Sequence, residues 1–359
     1  VEAYAEAVRE KSTLRRLRDI SDRIVRAVDD SRGRSADELV ADVERQLLDL
    51  HARSRVGKGL LSSRQLAGEL IDDLDQRREK SRGLALGLAD FDELTSGLEP
   101  GDLVVIAARP GMGKTALMVS TANHVSHAKP VAIFSAEMPT QQLMRRSVAH
   151  LSGVSQSNLR RAERLTDSDW AAIVPAAAAV AERQLWIDDK ALPTLTHVRA
   201  ESMSLKARNG LDLVMVDYCQ LVQGDGANRY EQLRDVAYGF KALAKELQVP
   251  VILLAQLNRG VEQREHKRPH ISDLRDSGAI EEAADIVGLL YSEGYYNPKF
   301  GMPYVFECAI EKNRNGERGL CLWQFAGAFS RITTLDSGAA AQYRHLQADK
   351  QTQRGGSDL

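Results

Sequence analysis

Three cysteines, no two of them in a Cys-x-x-Cys pair, leave this chain without a disulfide framework. Cys219, Cys308 and Cys321 each lie in an apolar, strand-like run, so they are expected as buried free thiols in a reducing cytoplasm. No stretch is long and apolar enough to span a bilayer, and no signal peptide opens the chain, so no membrane partner is expected. Charge of one sign is also missing. The formal net charge is −2, which leaves any grip on nucleic acid to local basic loops. Aromatic residues make up only 5% of the chain, and its two long polar loops contain none. Base stacking is therefore not available there, and contacts would go to phosphates. The chain opens on Val1 inside a helical pattern, which reads as a fragment lacking something N-terminal.

What is present centres on residues 108 to 115, Ala-Arg-Pro-Gly-Met-Gly-Lys-Thr. An apolar run, Leu103 to Ala107, precedes them, and a helical pattern follows from Ala116 to His124. Strand, glycine-rich turn and helix are the context of a phosphate-binding P-loop. Gly111 and Gly113 permit the tight turn that aims backbone N–H groups at phosphate oxygens. Arg109, Pro110, Met112 and Ala116 complete the nucleotide-binding stretch. Lys114 supplies a point charge to the β- and γ-phosphates, and Thr115 a hydroxyl to Mg²⁺. The usual first glycine is Ala108 here. The expected ligand is a nucleoside triphosphate.

Around this loop the texture changes along the chain. Residues 1 to about 83 are charged and helical in pattern, with Leu14, Leu17, Ile20, Ile24 and Val28 on one stripe. A second helix opens on the capping box of Ser35 and Glu38, and a third on Ser62 and Gln65, carrying Leu66, Leu70 and Leu74. Such narrow stripes need a partner, either another chain or this chain's own C-terminal domain. From Leu84 onward, apolar runs alternate with helical stretches: Leu103–Ala107, Val131–Ser135, Leu185–Asp188, Leu213–Asp217, Val249–Ala255 and Ile286–Leu290. That alternation predicts an α/β fold with a mostly parallel central sheet. Two further strands, Tyr304–Lys312 and Arg318–Ala326, flank an Asn-Gly turn and predict a hairpin. The expected divisions are a helical segment (1–30), two further helices (31–83), the α/β domain (84–336) and a disordered polar tail (337–359).

Four features would turn nucleotide binding into hydrolysis. Leu213–Asp217 is an apolar strand ending in a carboxylate, the pattern that holds Mg²⁺. Glu137 stands just past the strand ending at Ser135, where it could polarise a water as general base. Gln256 ends the next strand and could sense the γ-phosphate. Lys312 and Arg314 sit at the hairpin tip, where positive charge points away from its own fold and could reach a neighbour's phosphate. Solvated turn residues are the plainer reading of that pair; only a ring of subunits favours the other. The loops at 223–229 and 258–269 carry Arg229, Arg259 and Arg264, and by charge alone both read as solvated loops. Arg275-Asp276-Ser277-Gly278 opens a helix whose free N–H groups suit a phosphate.

Taken as a set, these segments resemble the bacterial and phage replicative DNA helicases of the DnaB family. The matching stretches run in family order: Ala107 to Thr115, Phe134 to Met138, Val216 to Leu221, Lys241 to Leu247, Gln256 to Arg264, Lys267 to Pro269, Ser272 to Arg275 and Lys312 to Gly316. The family's loop shares Ala108. The resemblance covers about residues 1 to 335 and implies a RecA-like P-loop ATPase core in a homo-hexameric ring. It implies ATP-driven 5′→3′ movement on single-stranded DNA, with Mg²⁺, and partnership with a primase and a loader. By position, Lys114, Thr115 and Asp217 would hold phosphates and metal, Glu137 would be the base, Gln256 the sensor, and Lys312 and Arg314 the in-trans cations. Arg275, Asp276 and Gly278 match the DNA-phosphate stretch, with Asp276 standing where the family commonly carries Glu. Ala3 to Lys11 resembles the end of the family's collar domain, and Ser35 to about Arg53 its docking linker helix. Two other readings share parts of this core. A strand-exchange recombinase would form filaments, and the N-terminal helices and hairpin cations argue for the ring instead. A non-hydrolysing loading or assembly factor would have no need of Glu137, Asp217 and Arg314.

Overall fold

The computed structural model describes residues 83–217, 222, 229–274 and 278–355, with scattered helical positions before residue 72. The chain divides into two units, Val1–Ser81 and Arg82–Leu359. Among the described residues of the first unit, Ile20 is buried, while Leu66 and Leu70 stay half exposed. The third expected helix does begin just past Ser62, whose carbonyl accepts from the Leu66 N–H at 3.1 Å. The capping box at Ser35 and the collar-like segment lie outside the described residues, as does Cys219.

The second unit is built on a nine-stranded sheet of order β3-β2-β4-β5-β1-β6-β7-β8-β9. Its strands are β1 (Leu103–Ala108), β2 (Val131–Ser135), β3 (Leu185–Asp188), β4 (Leu213–Asp217), β5 (Val251–Gln256), β6 (Ile286–Tyr291), β7 (Val305–Asn313), β8 (Gly319–Ala326) and β9 (Arg331–Thr334). Strands β3 through β6 run parallel, and β6 to β9 continue antiparallel. The helices are α1 (Ala89–Thr95), α2 (Lys114–Val125), α3 (Thr140–Ser152), α4 (Gln156–Arg160), α5 (Asp167–Ala181), α6 (Leu195–Asn209), α7 (Arg229–Leu247), α8 (Gly278–Ala283), α9 (Glu293–Tyr296) and α10 (Ser337–Gly355).

Apart from the partly buried edge strand β3, the parallel strands read as unbroken apolar runs because both of their faces are covered. In β1, Val104, Ile106 and Ala108 pack on one side with Leu117, Met118 and Ala122 of α2. Leu103, Val105 and Ala107 pack on the other with Phe240, Leu243 and Leu247 of α7. The period-two alternation of a strand thus divides one sequence run between two cores.

One expectation needs correction, and one strand is unforeseen. The tail after Ser337 forms α10 in place of the expected disordered segment. Asp336 caps its start, accepting from the Ala339 N–H at 2.9 Å. Ala340 and Tyr343 then bury against Phe300, Met302, Val305 and Leu322, with Leu346 beside them. Overall polarity conceals a stripe at helical spacing that the antiparallel strands cover. Strand β9 is also absent from the sequence reading, being four residues of alternating exposure.

Candidate nucleotide site

Lys114, Thr115, Glu137, Asp217 and Gln256 all lie at the carboxyl ends of the parallel strands. Registers show why: Ala108 pairs with Gln256, and Ser135 with Asp217. Arg109 to Gly113 turns between β1 and α2, closed by the Met112 N–H to the Arg109 carbonyl at 3.2 Å. Gly111 (φ 80°) and Gly113 (φ 72°) are both left-handed. A Cβ at Gly113 would also meet the Phe306 ring at 2.8 Å, so that position is doubly glycine.

Glu137 is presented by a local device. The Ser135 hydroxyl donates to the Met138 carbonyl at 2.9 Å and accepts from the Met138 N–H at 3.2 Å. That closes a tight turn with Ala136 and Glu137 at its apex. The Ala136 N–H bonds the Asp217 carbonyl at 2.8 Å, holding the turn beside β4. Glu137 is exposed on the cleft, and Asp217 is fully buried beneath it.

The Thr115 hydroxyl donates to Asp217 Oδ2 at 3.0 Å, while Asp217 Oδ1 is buried with no hydrogen-bond partner. Burial pushes the Asp217 carboxyl above the usual carboxylate range; the Thr115 hydroxyl and Lys114 ammonium pull it back, and Glu137 pushes it up. An orphaned carboxylate oxygen beside a hydroxyl suits a small divalent cation. Among the described residues no group of three or more His, Cys, Asp or Glu could hold a metal. The fitting ion is therefore one that takes most of its ligands from phosphate and water, as Mg²⁺ does.

The cleft measures about 260 Å³ and is lined by the phosphate loop, Glu137, Met138, Arg146, Gln256 and Phe325. Arg146 and Phe325 are additions that the sequence reading missed. Arg146 lies on α3 three residues after buried Leu143, and a cation on an inward stripe is the signal that could have marked it. Its guanidinium donates to the Ser330 hydroxyl at 3.0 Å. A larger cleft of about 510 Å³ opens beside Lys267, Arg268, Tyr291 and Lys350, and no residue of the phosphate loop lines it. There Arg268 and Lys350 are already paired with Glu307 and Glu293, so the smaller cleft carries the chemistry.

The remaining expected residues are dispersed. Lys312 and Arg314 do not point away from their own fold. Lys312 donates to the Glu281 and Glu282 carbonyls, and Arg314 bonds Asp285 at 3.2 Å and the Glu282 carbonyl at 3.3 Å. The exposed carbonyls ending α8 attract both cations, as helix C-termini do. Burial and the neighbouring Arg314 charge lower the Lys312 pKa. Arg264 pairs with Asp273, and Arg259 is exposed. The Arg109 guanidinium is committed to Leu257 and Glu262. Gly278 is exposed at the start of α8; Arg275, Asp276 and the Arg229 side chain lie outside the described residues.

Phosphate loop, strand-end carboxylates, strand-end amide and sheet order together define a P-loop ATPase of RecA-like fold. The family model for the DnaB-like helicase C terminal domain matches residues 83–334. The chain is 37% identical over 344 residues to the replicative DNA helicase DnaB of Geobacillus stearothermophilus, covering 94% of this chain and 75% of that protein. It is similar to a solved structure of a DnaB-like replicative helicase and its interactions with primase, at TM-score 0.78 and 27% identity, over 93% of this chain and 78% of that one. It is also similar to a second solved structure, an ATPase domain, at TM-score 0.74 and 30% identity, over 78% of this chain and 100% of that one. The chain belongs to the DnaB family of replicative DNA helicases. It is accordingly an ATP-dependent DNA helicase that binds DNA and works as an oligomer. No helix among the described residues is long and apolar enough to cross a membrane.

Proposed function

We propose that six copies form a ring in which each nucleotide is hydrolysed between two subunits, driving 5′→3′ movement on single-stranded DNA and duplex unwinding. The observation that carries this is the position of Arg314. Val104 of β1 pairs with Ile286, and Ile286 with Asn313, so Lys312 and Arg314 flank the end of β7 at the amino-terminal edge of the parallel strands. At about 3.3 Å per residue, they lie roughly 15 Å along the strand direction from their own phosphate loop. They cannot serve that loop, but they can serve a neighbour's after releasing Asp285 and the α8 carbonyls.

In the chemical step, water attacks the γ-phosphorus, the bond to the β-bridging oxygen breaks, and the Glu137 carboxylate takes the water's proton. Lys114 and the loop amides hold the phosphates. Thr115 and Asp217 would hold Mg²⁺, which when bound neutralises phosphate charge. Gln256, level with Ala108, reads whether the γ-phosphate is present. Arg146 adds a second cation from α3. Arg229, Arg259, Arg264 and Arg275 are assigned to DNA phosphates on the loops around 224–229 and 258–275, with Asp276 and Gly278 just beyond at the start of α8. A primase and a helicase loader complete the partners. The buried free thiols Cys308 and Cys321 are consistent with work in a reducing cytoplasm.

The test mixes two inactive variants, Glu137→Gln and Arg314→Ala. If the site is shared, some interfaces in mixed rings pair an intact Glu137 with an intact Arg314, and hydrolysis returns. Mixed assemblies of six-subunit mass, by light scattering, that stay inactive would overturn the shared site.

A further inference from the structure

One side chain of the phosphate loop faces away from the phosphates. The Arg109 side chain is 7% exposed. Its Nη1 donates to the Leu257 carbonyl at 2.8 Å, and its Nε to Glu262 Oε1 at 2.9 Å. Leu257 directly follows the sensor Gln256, and Glu262 lies in the single turn Arg259–Gln263 that opens the long polar loop.

That loop is a closed, braced unit. Leu257 bridges to Leu274, and the Asn258 N–H bonds the Asp273 carbonyl at 2.8 Å. The Asn258 side chain caps Gly260 at 3.1 Å, buried Val261 anchors the underside, and Arg264 pairs with Asp273. A segment fixed at its base moves as a block when one point on it is displaced. The guanidinium of Arg109 holds such a point, and its own backbone opens the loop that wraps the phosphates. The ion pair with Glu262 therefore ties the two loops together.

We infer that Arg109 is a positioning residue: through Glu262 it transmits the state of the phosphate loop to the polar loop 258–274, so that nucleotide occupancy sets the affinity for single-stranded DNA. This rests on the reading that the polar loop contacts DNA. By linkage, DNA on that loop acts back on the nucleotide through the same contact.

The experiment measures the affinity of the assembled protein for single-stranded DNA with and without a non-hydrolysable ATP analogue, alongside basal ATPase kinetics. Coupling between sites typically spans about fivefold or more, and the wild type is expected to show such a ratio. Glu262→Ala should bring the ratio to within about twofold of unity, erasing the coupling, while basal kcat and KM for ATP hold. Glu262→Gln still offers an amide oxygen to Arg109 and should keep most of the coupling. A purely structural Glu262 would weaken DNA binding equally in both nucleotide states, and that result overturns the inference. So does an unchanged ratio in Glu262→Ala. If the wild-type ratio is itself unity, no coupling exists and the inference falls; DNA affinity unchanged in Arg259→Ala with Arg264→Ala would instead sink the assignment of the polar loop to DNA.

Discussion

The carboxylates buried at the antiparallel strands and the one buried at the carboxyl ends of the parallel strands are treated in opposite ways. In the antiparallel half the chain neutralises its own. Glu307, 3% exposed at the side chain, takes a bidentate Arg268 at 2.7 and 2.8 Å and the Tyr343 hydroxyl at 2.7 Å. Glu293 takes Lys350 and the Tyr291 hydroxyl, and Asp90 of α1 takes the Trp323 indole and the Leu322 N–H. In the parallel half, the strand ends leave Asp217 Oδ1 buried without a hydrogen bond and Glu137 exposed over it. The unpaired carboxylate oxygen marks where a ligand is to arrive, and the paired carboxylates mark where the fold is fastened. Arg314 and Lys312 are the exception, being fastened like the second class and assigned to the chemistry of the first.

Arg314→Ala is the sharpest way to break that comparison. An in-trans arginine is worth about 10³–10⁵ in rate where such residues act. The Arg314 side chain is 52% exposed, and its buried partner Asp285 keeps Lys241 and the Leu103 N–H, so losing the pair costs about 1 kcal/mol. The expected outcome is turnover lost, ATP binding kept and an almost unchanged melting temperature. Steady-state ATPase, nucleotide titration and a thermal melt check all three. A large drop in melting temperature with turnover retained would return Arg314 to the structural class. Glu137→Gln comes next, and it sharpens the comparison. Removing a general base costs about 10²–10⁴ in kcat, and an exposed, isosteric change should leave both folding and nucleotide affinity intact. Single-turnover hydrolysis beside an equilibrium binding measurement separates the two effects.

The same division decides what could be read from residues alone. Strands β2 and β4 have the bounds expected for them because runs covered on both faces declare themselves by composition; edge strand β3 has its expected bounds too, although its residues are at most partly buried. Gly111 and Gly113 declare a turn by the conformation they permit. Directions of long side chains are not legible. Arg109 and Lys312 are drawn to carbonyls of Leu257 and Glu281, which lie far off in sequence and meet them only through the sheet register. Helix α10 escapes notice for a related reason: Ala340 and Tyr343 are too sparse among Gln, Arg and Asp to mark a buried stripe until the β7–β8 surface beneath them is known. Arg146 reads as one of two adjacent arginines on a polar helix, although its neighbour Leu143 already places it inward.

Stability predictions fall on the fastened half and are smaller in consequence. Glu307→Gln removes the charge that holds Arg268 and weakens the bond to Tyr343. Breaking one partner of a buried pair costs about 3–5 kcal/mol, and the low end applies because Arg268 is 39% exposed. Tyr343→Phe removes one hydrogen bond to a charged acceptor, about 1.5–3 kcal/mol. Chemical denaturation should show both losses, with basal ATPase of the surviving folded protein unchanged. An equal loss of kcat per folded molecule would mean that the antiparallel half reaches into the cleft.

The smallest effect sits where the halves meet. His150 of α3 lies 3.4 Å from the Ser330 carbonyl between β8 and β9, and 3.5 Å from the Ser120 hydroxyl of α2. Burial lowers its pKa below the ordinary histidine value, partly offset by the Ser330 carbonyl, with Arg331 and Arg183 lowering it further. A depressed histidine pKa means the folded state binds fewer protons than the unfolded chain. Its contribution to stability is therefore fully present above the unfolded value of about 6.5 and is lost as pH falls below it through the depressed folded value. Melting temperatures between pH 8 and pH 5.5 should decline on the acid side, and His150→Gln should flatten part of that slope without altering the alkaline plateau. A slope unchanged in His150→Gln would place the acid sensitivity elsewhere and leave the joint between the halves indifferent to protons.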